Sequence, residues 1–145
     1  MKKVIELFKK FYKELSVFAL VLVVFLCLFA YRNATYKTYK TINESKLTSW
    51  VEKDKDFVLV VGDSTETDTV SYQETMTTYC TKNRSTNLYF IDASTDEDFD
   101  DYLEGLLDVS VQKPTTLIIK DGEVVAKKEG NIAYYNLVDL IKENK

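Results

Sequence analysis

The chain has 145 residues, with 19 Lys+Arg against 23 Asp+Glu, two Cys, one Pro and no His. The absent histidines exclude a Ser-His-Asp triad, a Cys-His dyad and an imidazole-ligated zinc site within this chain. Two cysteines as far apart as Cys27 and Cys80 exclude a Cys-x-x-Cys redox pair and a four-thiolate metal site.

The net charge of −4 is split along the chain. Residues 1–46 carry nine basic and three acidic groups, and residues 47–145 carry ten and twenty, so a basic head precedes an acidic body. In the head, Val4, Ile5, Leu7, Phe8, Phe11 and Tyr12 recur at helical spacing among lysines. That pattern predicts a cytoplasmic, interfacial helical segment over 1–14. Leu15–Tyr31 follows as an uncharged run of 17 residues. As a helix it reaches about 25 Å, the short end of a bilayer span. Lys2, Lys3, Lys9, Lys10 and Lys13 precede it against Glu6 and Glu14. The positive-inside rule then expects a single-pass cell-membrane protein with a cytoplasmic N-terminus and an extracytoplasmic body. A cleaved leader needs small residues two apart before the cut, whereas Ala30 and Ala34 are four apart. The expectation is an uncleaved anchor. Polar residues 32–46 predict a stalk.

Residues 47–145 are enough for one small domain. A short helix is expected over Ser45–Asp54, with Leu47, Trp50 and Val51 inward. Asp56–Gly62 is a continuous apolar run, the pattern of a strand buried on both faces. A helix over Thr69–Asn83 turns Tyr72, Met76, Tyr79 and Cys80 to one side. Asn87–Asp92 is a second strand. Ser94 or Thr95 is expected to cap a helix with Asp96, Glu97 and Asp98 in its first turn, running to Leu107. Beyond the only proline, Pro114, the strands Thr115–Lys120 and Glu123–Lys128 flank Asp121-Gly122, a strong hairpin signal. Ala133–Glu143 closes the chain as an amphipathic helix.

The order βαβα, hairpin, α resembles the thioredoxin fold. The likeness is most specific in Val109–Gly130, VSVQKPTTLIIKDGEVVAKKEG. It has the family's hydrophobic-x-x-x-Pro-Thr, strand, Asp-Gly hairpin, strand and glycine. The resemblance implies an α/β domain, a mixed sheet flanked by helices, behind one N-terminal transmembrane helix. It also implies a cis Lys113–Pro114 bond. The departure is at the active site. The family's first buried strand leads to Cys-x-x-Cys, but here it leads to Gly62-Asp63-Ser64-Thr65-Glu66-Thr67-Asp68-Thr69. Aligning the strands puts Glu66 and Thr69 in the two cysteine places. The family's buried acid and the lysine facing it fall on about Val60 and Leu88. Disulfide exchange needs an attacking thiolate and a resolving thiol, and neither is present there. The anchor, and the glycine spaced four residues before the motif, also resemble membrane-anchored bacteriocin transport accessory proteins, which keep the cysteines.

The resemblance places a peptide- or partner-binding groove on Ser64, Thr65, Glu66, Thr69, Lys113, Pro114 and Thr115. The expected function is a redox-inactive, non-enzymatic accessory role toward a partner protein or secreted peptide, with no cofactor. Two alternatives stand beside it: a thiol oxidoreductase using Cys80, and a structural subunit of an envelope complex. Cys80 is expected to be a buried filler rather than a reactive thiol. Asp63, Glu66 and Asp68 lack the spacing of a calcium loop; capping of the helix start by Thr67, Asp68 or Thr69 is expected there instead, with no metal. The acids between Asp96 and Asp108 are expected to form a solvated face, open to a basic partner. A body of charge −10 repels phosphate, so nucleic acid is not an expected partner.

Overall fold

The computed structural model describes every residue from Met1 to Lys145. These fall into two units, Met1–Tyr36 and Lys37–Lys145. The first is a single helix, α1 (Lys2–Thr35), of 34 residues with none buried. It is long and apolar enough to cross a membrane. The lysine-rich first turns and the apolar run are one continuous helix, ending where Tyr36 turns to extended backbone.

The second unit is a five-stranded sheet flanked by helices. Its elements are β1 (Lys40–Thr41), α2 (Glu44–Glu52), β2 (Phe57–Gly62), α3 (Thr67–Lys82), β3 (Leu88–Asp92), α4 (Phe99–Leu107), β4 (Thr115–Lys120), β5 (Glu123–Glu129) and α5 (Tyr134–Glu143). The sheet order is β1-β3-β2-β4-β5. β2 is parallel to β3, antiparallel to β4, and buried along its whole length. Its alternating side chains feed two cores. Phe57, Leu59 and Val61 join Leu47, Phe99, Leu103 and Leu117 under α2 and α4. Val58 and Val60 join Tyr72, Met76, Cys80, Leu137 and Ile141 under α3 and α5. Each large apolar side chain withdrawn in this way contributes about 1.5–3 kcal/mol. The β4–β5 turn has Asp121 and Gly122 at positive φ, as a two-residue hairpin demands. A Cβ on Gly122 would stand 2.6 Å from the Val51 carbonyl oxygen, so glycine also lets the hairpin pack on the end of α2.

Three sequence expectations need correction. The stalk over 32–46 does not exist as such: α1 runs to Thr35, and the domain begins at Lys37. Thr81 Oγ1 donates to the Lys37 carbonyl and Ile42 N–H to the Phe90 carbonyl, which fastens this segment as a fifth strand beside β3. Ser94 and Thr95 do not cap α4. Asp92 instead accepts the Ser94 N–H and closes a short 3-10 turn over Ala93–Thr95, so α4 starts only at Phe99. Thr67, Asp68 and Thr69 do not cap α3 either. The cap position is Glu66, without a side-chain capping bond.

Candidate functional site

The C-terminal ends of β2 and β3 and the start of β4 share one pole of the sheet. The pairing of Val61 with Thr115 and of Gly62 with Asp92 brings three loops together there. The first is Gly62–Glu66. Glycine is required at 62, because a Cβ there would stand 2.6 Å from Thr69 Cγ2 and 2.8 Å from Phe90 Cε2. Asp63 folds the loop onto itself by accepting hydrogen bonds from the Thr65 N–H and hydroxyl. Those two bonds hold its carboxyl below the usual carboxylate range. From α3, Thr69 Oγ1 accepts the Asp63 N–H at 3.2 Å.

The second loop follows β3. One Asp92 carboxylate oxygen accepts the Ser64 N–H at 3.1 Å and the Ser94 N–H at 3.0 Å, and the Ser64 and Ser94 hydroxyls lie 3.2 Å apart. Partial burial pushes the Asp92 carboxyl up, but the bonds from Ser64 and Ser94 together outweigh it and bring it down to about 2. Asp92 therefore ties the first loop to the second as a fixed anion.

The third loop contains Lys113–Pro114, whose peptide bond is cis, as the resemblance implies. Thr115 is fully buried and its hydroxyl donates to the Gln112 carbonyl. The Pro114 carbonyl accepts the Gly130 N–H at 2.7 Å. Lys113 Nζ pairs with Asp100 of α4 at 3.1 Å, and its charge helps to keep the Asp63 carboxyl low. Neither the N–H nor the C=O of Lys113 finds a hydrogen-bond partner within the chain.

The seven residues expected at the groove thus lie on two neighbouring loops and on the elements that follow them, Thr69 in α3 and Thr115 in β4, but they differ in access. Ser64, Thr65 and Glu66 are exposed and Lys113 is half-buried, whereas Thr69, Pro114 and Thr115 are buried. Thr69 and Thr115 act through the loops they brace and present no side chain to a partner. Sequence reasoning missed Asp92, Ser94 and Asp100 as parts of this pole. Val60 and Leu88, near which the resemblance sets the family's buried ion pair, are both buried and apolar. Nearby, the Tyr72 hydroxyl lies 2.7 Å from Thr116 Oγ1, a buried neutral pair; burial pushes the Tyr72 phenol up to about 12.

Cys80 lies on the buried face of α3 with no exposed surface, and burial pushes its thiol up. Fourteen residues of helix separate it from Glu66, about 20 Å. Such a thiol has little thiolate and no access.

No protein-family model matches the chain, and no curated protein matches it. Solved structures do. A chain with a thioredoxin fold is 14% identical, with 72% of this chain and 94% of that one covered and a TM-score of 0.60. Desulfothioredoxin from Desulfovibrio vulgaris Hildenborough is 14% identical, with 74% and 99% covered and a TM-score of 0.57. Thioredoxin from Fasciola hepatica is 16% identical, with 75% and 99% covered and a TM-score of 0.56. The fold is thioredoxin-like. At these identities the likeness establishes the fold alone.

Proposed function

We propose that this is a membrane-anchored, extracytoplasmic thioredoxin-like protein that binds an extended partner segment and carries out no disulfide exchange. The observation that carries the reading is Lys113. Its backbone N–H and C=O are unpaired beside the cis Pro114, next to a loop with no thiol. An extended peptide can add to such an edge by main-chain hydrogen bonds, with side chains contributing selectivity. The exposed Ser64, Thr65 and Glu66 would line the other side. Glu66 and Thr69 in the cysteine places, and Cys80 buried far along α3, leave no thiol to attack a disulfide.

The anchoring role rests on α1, and the sidedness rests on the lysines ahead of its apolar run. An accessory role in the export, maturation or immunity of a secreted peptide rests on the anchor and on the Gly62 spacing of the bacteriocin transport accessory type. A Cys80 oxidoreductase is disfavoured by the burial of that thiol.

The test is nuclear magnetic resonance of the full chain in detergent micelles, titrated with an extended lysine-rich peptide. The amides of Lys113 and of Ser64–Glu66 should shift together and saturate. Shifts confined to the acidic face of α4, with Lys113 unmoved, would refute the groove. Protease added to intact cells should remove the domain; protection until the membrane is broken would reverse the proposed orientation.

A further inference from the structure

The pole opposite the groove has a different electrostatic character. Because β1 runs parallel to β3, the chain enters the domain beside the N-terminal ends of β2 and β3. Lys37 is fixed there, its ammonium donating to the carbonyls of Arg84 and Thr86. The α2–β2 connection brings Lys53 and Lys55 to this pole, and the end of α3 brings Lys82 and then Arg84. The β4–β5 hairpin adds Lys120, and the end of α5 adds Lys142 and Lys145. Against these eight cations stand six carboxylates: Glu52, Asp54, Asp56, Asp121, Glu123 and Glu143. Residues 37–145 as a whole hold 13 cations and 21 carboxylates, net −8. The side chains of the entry pole therefore sum to +2 and those of the remainder of the domain to −10.

A groove of about 610 Å³ opens at this pole, with Asp56, Ser85, Tyr89, Lys120, Asn144 and Lys145 among its lining residues. The Asp56 carboxylate accepts the Asp121 N–H, which ties the start of β2 to the hairpin at this pole.

We infer that the entry pole docks on an anionic phospholipid surface, holding the Gly62–Lys113 pole outward toward its partner. Two independent features converge on this occupant. On the proposed reading of α1 as the anchor, on which this inference rests, the chain passes from Thr35, the last residue of that helix, to Lys37 within two residues, so this pole is the tethered one. A negative surface also attracts the +2 pole and repels the −10 remainder, and the two forces act in the same sense. Neither depends on the groove at the other pole binding a peptide.

The full chain, carrying Cys27→Ala, is reconstituted into vesicles of phosphatidylcholine alone or with about one-third phosphatidylglycerol. A fluorophore is placed at exposed Ser85 through Ser85→Cys, or at exposed Thr65 through Thr65→Cys, and quenching by headgroup-spin-labelled lipid is read; Cys80 is buried and does not take label. The Ser85 label should be quenched several-fold more in anionic vesicles than in neutral ones, and the Thr65 label in neither. The difference should vanish at about 1 M salt, where screening falls to ~3 Å. The triple change Lys82→Glu, Lys120→Glu and Lys142→Glu should abolish it at low salt. Equal quenching of Ser85 in the two lipids, or quenching at Thr65 as strong as at Ser85, would overturn the inference. So would a difference that persists in high salt. The salt arm uses the unreversed chain, so it decides even where the triple variant does not fold.

Discussion

Gly62 and Thr69 stand so close that a Cβ on the first would lie 2.6 Å from the methyl carbon of the second. The end of β2 and the first turn of α3 are thereby locked, while the Thr69 hydroxyl takes the Asp63 N–H between them. Gly62→Ala should destabilise the domain by about 1–3 kcal/mol, the usual range for overpacking. It should shift the denaturant midpoint at constant slope. Adding Thr69→Ser, which removes the methyl and keeps the hydroxyl, should recover part of the loss. Phe90, the other close neighbour, limits the recovery.

Asp92 gives the same pole a pH signature. Its carboxyl is at about 2 in the fold, against about 3.9 in an unfolded chain. The folded state therefore favours the anion. The stabilisation is fully present above about pH 4 and is lost as pH falls toward about 2. Urea midpoints measured between these limits should fall less steeply for Asp92→Asn than for the native chain. Equal slopes would mean that Ser64 and Ser94 do not hold the carboxylate.

How much of this was legible in the sequence depended on the range of the forces involved. β4, β5 and their turn follow from local patterning and from Asp121-Gly122, so their bounds were read to within a residue. β1 was missed because Lys40 and Thr41 are exposed and carry no apolar signal. Their strand exists because β3 offers a backbone edge. The late start of α4 comes from side chains competing with the helix for backbone groups: Asp92 takes the Ser94 N–H and Asp96 the Asp98 N–H. Ser64–Glu66 and Lys113–Pro114 were placed at one site by the resemblance to the thioredoxin fold, and the pairing of Val61 with Thr115 brings their loops together. Asp92 could not be placed there, since its partner Ser64 is 28 residues away, nor could the pairing of Asp100 with Lys113.

Tyr72 and Thr116 form a buried hydroxyl pair between α3 and β4. Tyr72→Phe should cost about 1–3 kcal/mol by leaving the Thr116 hydroxyl buried without its partner. Tyr72→Phe with Thr116→Val should cost less than the two single changes summed. The Tyr72 phenol is raised to about 12 in the fold, so its contribution is intact below about pH 10. Above that the unfolded chain loses the proton first, and stability falls as pH rises toward about 12. Tyr72→Phe should remove that part of the alkaline loss.

If Glu66 and Thr69 occupy the places of a thiol pair, geometry alone should support a disulfide there. They sit at the cap and third position of α3, one turn apart. Glu66→Cys with Thr69→Cys should oxidise to a disulfide within the chain, and its reduced form should reduce insulin. Mass spectrometry that finds the two thiols unlinked after oxidation would place the turn differently from the family's motif.

The most direct test of the account is the insulin reduction rate of the native full chain in detergent micelles, with dithiothreitol as electron source. Without a thiol at the Gly62–Thr69 loop, and with Cys80 buried, the rate should equal that of dithiothreitol alone. A rate above that background, abolished by Cys80→Ala, would contradict the account and make the protein an oxidoreductase.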